Sequence, residues 1–185
     1  MQNKKCQFGF TLVEIIIVVA IVAIVAAIAL PLLLNHLPNM RVTGAARDVY
    51  SIMMQAKGES LQRGENVTIF FDSPNNSYTM FLDNGAGGGV TGNIIRDGGE
   101  VTLVTTTFLP DKVSYDPTIG GGDGVTLAGN ALVFTPRGIP VSALSPPGSF
   151  TLGFGTVGLR AVNSAGVTVR QQAVVMSSAG RLRIQ

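Results

Sequence analysis

A single carboxylate, Glu14, stands at the head of an apolar run that extends from Ile15 to Leu34 without one polar side chain. A carboxylate at the centre of a membrane helix costs on the order of 2 to 3 kcal/mol, and less towards the end. Glu14 therefore requires either a solvated position at the interface or a cation to meet it. The remaining reactive side chains are few. His36 is the one histidine and Cys6 the one cysteine, so a disulfide framework, Cys/His and Ser/His nucleophilic constellations and multi-His zinc sites cannot be assembled within one chain. His36 reads as an interfacial polar residue. Gly153-Phe154-Gly155-Thr156-Val157-Gly158 matches a dinucleotide-binding string, but no helical pattern follows it to supply the N-terminus that a phosphate needs. No phosphate-binding G-x-x-x-x-G-K-[ST] is present either, so no cofactor is expected, and energy for assembly would have to come from another protein.

The other ionisable side chains separate by sign. From Asp48 to Asp123 there are ten acids against four bases, whereas Arg137, Arg160, Arg170, Arg181 and Arg183 are followed or preceded by no acid between residues 137 and 185. Asp72, Asp83, Asp97, Glu100, Asp111, Asp116 and Asp123 fall in strand-connecting stretches and read as solvated loop charges. Their spacing is not that of an EF-hand, and no metal site is expected. The arginines have two readings. They keep strands soluble or pair with acids of a neighbouring subunit, or they form a cationic surface for phosphate backbones. Arg181 and Arg183, two apart, would point to one side of a strand.

Several elements must carry these groups. Hydrophobic content is 46% and mean hydropathy +0.39, while charged residues make up only 13%, so part of the chain is expected to meet lipid. Twenty apolar residues in a helix cover roughly 30 Å, the hydrocarbon thickness of a bilayer. Lys4 and Lys5 precede the run and no lysine closely follows it, which favours a cytoplasmic N-terminus and a globular part beyond the membrane. A cleaved secretory signal ending near Ala27-Ile28-Ala29, a plain uncleaved anchor and a lipoprotein are the alternatives. The run is longer than an ordinary signal core, and Cys6 lies on the wrong side of it for a lipid anchor.

Past Leu34, Val42, Ala45, Ala46, Val49, Ile52, Met53 and Ala56 recur at spacings of three and four, predicting a helix with one apolar face. Pro31 and Pro38 are expected to bend or locally open it, and Gly64 to end it. Twenty-three glycines and nine prolines exclude an all-helical chain. Short strands are predicted at 67–71, 78–82, 101–109, 131–134, 150–154, 167–176 and 181–184, with mobile glycine-rich loops at 85–92 and 120–124.

Taken together, Gly9-Phe10-Thr11-Leu12-Val13-Glu14 resembles the class III signal of type IV pilins and type II secretion pseudopilins. The resemblance implies cleavage after Gly9 by a prepilin peptidase, N-methylation of Phe10 and retention of the apolar helix. It places Glu14 at the fifth mature position and Pro31 at the twenty-second, where the family often has a helix-bending proline. Cleavage also creates a cation, the amine of Phe10, which the Glu14 of a staggered neighbour could meet. Such a pair is favoured chiefly because leaving either charge unpaired in low dielectric is costly. The stretch from Gln55 to Thr68, Phe134-Thr135-Pro136-Arg137-Gly138 and Gly180-Arg181-Leu182-Arg183 resemble the GspH/FimT family of minor pilins and pseudopilins. Residues 72–130 carry no family motif. Major pilins commonly close a C-terminal loop with a disulfide; loss of Cys6 with the leader would leave none here, which points to a minor subunit.

The expected fold is α+β and pilin-like, a long N-terminal helix packed on an antiparallel sheet domain. Its parts are a leader at 1–9, a membrane and assembly helix at 10–34, an amphipathic half at 35–64 and a β-rich domain at 65–185. The resemblance implies a structural subunit and not an enzyme, inserted once in a bacterial inner membrane with its globular domain periplasmic, then assembled. Its partners would be the prepilin peptidase, other pilins or pseudopilins met through the helix, and the inner-membrane assembly machinery. The G-R-x-R element resembles that of FimT-like pilins linked to DNA uptake, which implies DNA as a further partner. A secretion pseudopilus is the alternative filament.

Overall fold

The computed structural model describes residues 10–144, 149–163 and 165–185, the side chains of residues 31, 32, 35, 143, 144 and 149–151 excepted. Gly9 and the expected cleavage junction lie outside the described residues. One helix, α1, runs from Leu12 to Arg63. Its start is a cap: Thr11 Oγ1 accepts the Glu14 N–H at 3.2 Å, and the Thr11 carbonyl accepts the Ile15 N–H at 3.3 Å. Thr11-Leu12-Val13-Glu14 thus has the S/T-x-x-E pattern of a capping box, with the acid in the favourable first turn. Its end is Gly64, whose φ of +68° and N–H bond to the Ser60 carbonyl at 3.0 Å give the left-handed termination that glycine permits. α1 continues through Pro31 and Pro38, so neither proline interrupts it. The Pro31 side chain itself lies outside the described residues.

The chain divides into two compact units, 1–37 and 38–185. In the first, Leu12–Leu30 has a mean hydropathy of 3.2 and buries none of its side chains within the chain, as lipid-facing or subunit-facing residues would. In the second, Val42, Ala45, Ala46, Val49, Ile52, Met53 and Ala56 are all buried, and Arg47 and Asp48 are exposed. The three-and-four spacing has therefore marked the face that packs. Gly58 is exposed in this helix, and a Cβ there would meet nothing within 4 Å. Gly58→Ala should stabilise the domain by about 0.5 to 1 kcal/mol, because alanine removes backbone freedom from the unfolded chain. An unchanged or lower thermal midpoint would contradict that.

Among the described residues ten strands follow: β1 Val67–Asp72, β2 Ser77–Leu82, β3 Thr102–Phe108, β4 Val113–Tyr115, β5 Ala131–Phe134, β6 Pro140–Leu144, β7 Ser149–Leu152, β8 Gly155–Val162, β9 Thr168–Met176 and β10 Leu182–Ile184. They form a six-stranded sheet in the order β3-β2-β1-β5-β6-β7 and a four-stranded sheet in the order β10-β9-β8-β4, antiparallel throughout. The alternating inward residues Val67, Ile69 and Phe71 of β1 and Val157, Leu159 and Ala161 of β8 join the helix face in one core. Tyr115 ties the sheets together. Its hydroxyl donates to the Ser77 carbonyl at 2.8 Å, and its ring meets Phe71 edge-on at 6.5 Å. Burial pushes the Tyr115 phenol well above its ordinary range; Tyr78 is raised as well, by burial first and then by the Asp48 carboxylate.

The expected strands all occur within a few residues of their predicted limits, but β4, β6 and β8 lay outside the reading. The acids require a larger correction. Asp83, Glu100 and Asp116 are buried and not solvated, because each serves as an acceptor for its own loop. Asp83 takes hydrogen bonds from Thr68 Oγ1 at 3.0 Å, the Gly92 N–H at 2.5 Å and the Ile94 N–H at 3.0 Å. Glu100 takes the N–H groups of Gly85 and Asp97 at 2.9 and 3.0 Å, and Asp97 in turn holds the Val90 N–H at 3.2 Å. The segment 83–100, expected to include a loose glycine loop, is thus laced by carboxylates. Asp116 accepts both the N–H and the hydroxyl of Thr118.

Candidate functional site

Two groups of residues were expected to carry function, and the fold treats them differently. At the head of α1, Phe10 is exposed just outside the cap and Glu14 is exposed within the first turn. Among the described residues Glu14 makes no ion pair; the ion pairs present are Arg41 with Asp111 at 3.2 Å and Arg63 with Glu59 at 2.7 Å. The Glu14 N–H is already satisfied by Thr11, which leaves the carboxylate itself open to a group from outside the described chain. Thr11 was missed as a contributor, although the S/T-x-x-E spacing ahead of an apolar run is a readable signal. His36 is exposed on α1, as an interfacial polar residue would be.

The five arginines do not form one patch. Arg183 on β10 pairs with Val175 of β9, and the neighbours Leu182 and Ile184 pair with the buried Met176 and Val174. Alternation then turns Arg181 and Arg183 to the outer side of the four-stranded sheet, at its edge. They line a recess with Val175, Ser177 and Leu182. Arg160 on β8 has the same parity, opposite Gln171, but its Nε donates to Ser114 Oγ at 3.1 Å and it is half-buried. Arg170 pairs with the inward-facing Ala161, so it has the opposite parity on an exposed part of β9. Arg137 lies in the turn after β5, on the other sheet. Thus the pair at spacing two survives as a unit, and Arg137 and Arg170 do not join it. The glycine string at 153–158 runs into β8 and not into a helix, so it presents no helix N-terminus to a phosphate.

The comparisons with known proteins fit this architecture. Residues 4–30 match the model of the prokaryotic N-terminal methylation motif, and residues 45–180 match that of the type II transport protein GspH. Among solved structures, the chain is similar to the minor pseudopilin EpsH from the type 2 secretion system of Vibrio cholerae, at 14% identity and a TM-score of 0.51, covering 78% of this chain and 96% of that one. It is also similar to the type IV minor pilin FimU of Pseudomonas aeruginosa, at 14% identity and a TM-score of 0.47, covering 80% and 90%. No curated protein sequence matches the chain. The methylation motif on the apolar helix, together with a domain match spanning most of the remainder, identifies the chain as a member of the GspH family of pilin and pseudopilin subunits.

Proposed function

We propose that this chain is a minor subunit of a type IV pilus, acting in assembly initiation or at the tip, stored in the inner membrane and processed before use. Cleavage after Gly9 by the prepilin peptidase exposes Phe10, which is then N-methylated. The observation that carries the reading is Glu14: a carboxylate in the first turn of an otherwise apolar span, with no cation beside it among the described residues. In a filament the Phe10 amine of an adjacent subunit supplies that cation, and the match selects one axial stagger over others. Leu12–Leu30 serves as membrane anchor before assembly and as bundle core afterwards, since exposed Ile, Val and Leu suit either environment. The globular domain faces the periplasm and then the filament exterior.

Filaments sheared from cells should contain the mature chain at low stoichiometry. Its confinement to the inner membrane of cells that make filaments would contradict the assignment. The family description favours a second reading, a type II secretion pseudopilus. Deleting the gene separates the two, because a pilus subunit's loss removes pili while export continues, and a pseudopilus subunit's loss stops export while pili persist.

The outward pair Arg181 and Arg183 supports DNA as a partner of the assembled subunit. Two guanidiniums on a strand edge would bind phosphate weakly, without base specificity and with steep salt dependence. The full chain in detergent should retard DNA at low salt, and Arg181→Ala with Arg183→Ala should remove most of that binding. Equal retardation by the double variant would reject these residues.

A further inference from the structure

The six-stranded sheet bears a cleft on its outer face, of about 580 Å³, within the range of small-ligand sites. One side of it comes from a bulge in β3. Tyr78 pairs with Thr107 and Met80 with Val104, so Thr105 and Thr106 together oppose the single residue Thr79. A two-against-one arrangement re-aims side chains, and here both consecutive threonines line the cleft. Thr106 Oγ1 lies 3.2 Å from Thr79 Oγ1. The same irregularities blunt β3 as an edge for strand addition, so the cleft and not the edge is the recognition feature.

Its wall is the tip of the carboxylate-laced segment. Ile94 has a φ of +60°, a strained conformation for a β-branched residue, and its N–H is fixed by the buried Asp83. This places Ile94, Ile95 and Arg96 over Phe70 and Phe81, with Ile95 and Phe70 still exposed. Arg96 is the one charged residue lining the cleft. It donates from Nη1 to Thr102 Oγ1, which orients the guanidinium, and it makes no ion pair among the described residues. An apolar floor beside an oriented, uncompensated guanidinium and threonine hydroxyls is complementary to an apolar group that carries a carboxylate next to it.

We propose that this cleft receives a segment of another polypeptide in which an aromatic or branched side chain adjoins an Asp or Glu. The apolar side chain enters between Phe70 and Ile95, and the carboxylate pairs with Nε and Nη2 of Arg96. The site uses none of the residues assigned to filament assembly, so its failure would leave that reading untouched.

The test uses the full chain in lipid nanodiscs, labelled at isoleucine δ1 methyls, titrated with the capped peptide acetyl-Ser-Phe-Glu-Ser-Ser-amide and its Gln counterpart. The Ile94 and Ile95 methyls should shift with the Glu peptide, and the Gln peptide should bind roughly fivefold more weakly. Arg96→Gln, at an exposed position that should leave the fold intact, should abolish the preference for Glu over Gln. Thr106→Val should weaken binding but keep the preference. No methyl shift with the Glu peptide, equal binding of both peptides, or an unchanged preference in Arg96→Gln would each overturn the proposal. So would shifts with myristate in the absence of shifts with the peptide, which would assign the cleft to a lipid carboxylate.

Discussion

Glu14→Ala is expected to leave the precursor inserted and cleaved, yet to lower its recovery in filaments at least about tenfold. Insertion depends on the length and apolarity of Leu12–Leu30; the substitution keeps the length and raises the apolarity. Assembly depends on what the Phe10 amine meets once helices exchange lipid for one another. Without the carboxylate, each incorporation would bury an ammonium group with no partner, and a buried unpaired charge is more costly than the intact pair is favourable. The Thr11 cap should survive, because Thr11 Oγ1 accepts the backbone N–H of residue 14 and not its side chain. Quantitative blotting of membrane and filament fractions reads both effects at once. Normal incorporation of the variant would show that the acid is a spectator at the interface.

Asp83→Ala should be the most damaging single change within the globular domain. It strands three groups: the buried Thr68 hydroxyl and Gly92 N–H, and the half-buried N–H of Ile94. An unsatisfied buried donor costs about 1 to 3 kcal/mol, so a total of roughly 3 kcal/mol or more is expected. For a domain of this size that corresponds to a fall of about 6 to 12 °C in the thermal midpoint. Asp83→Asn should recover only part of it, because one acceptor oxygen becomes an NH₂ facing donors. A midpoint within a degree of the parent for Asp83→Ala would mean that water satisfies these donors and that the segment is not held from Asp83.

The same residue shows where sequence reading stopped. Asp83 and Glu100 sit among Asn and Gly as solvated loop acids do in composition, and only the fold reveals that they point inward to collect backbone N–H groups. The helix was legible for the opposite reason. Its apolar positions obey one period, so all seven named residues of its buried face could be located before any partner was known. Strand β5 was legible as an unbroken apolar tetrapeptide. Strand β8 was not, since Gly155 and Gly158 resemble a loop; yet both lie inside the strand, and a Cβ at Gly158 would meet the tip of the Ile119 side chain, which would have to move aside. Pro140 hid β6 by opening it with a residue that strands usually exclude. Charge counting found the arginines but could not divide them, because parity along β8, β9 and β10 sets which ones share a face.

The state of the chain's amino end in the cell tests the pilin reading most directly. Intact-mass and N-terminal fragment spectra of protein purified from cells with an active prepilin peptidase should give a chain that starts at Phe10, carries one added methyl group and retains the whole apolar segment. A chain that still begins at Met1 under those conditions, or one whose first residue lies beyond Leu30, would contradict it.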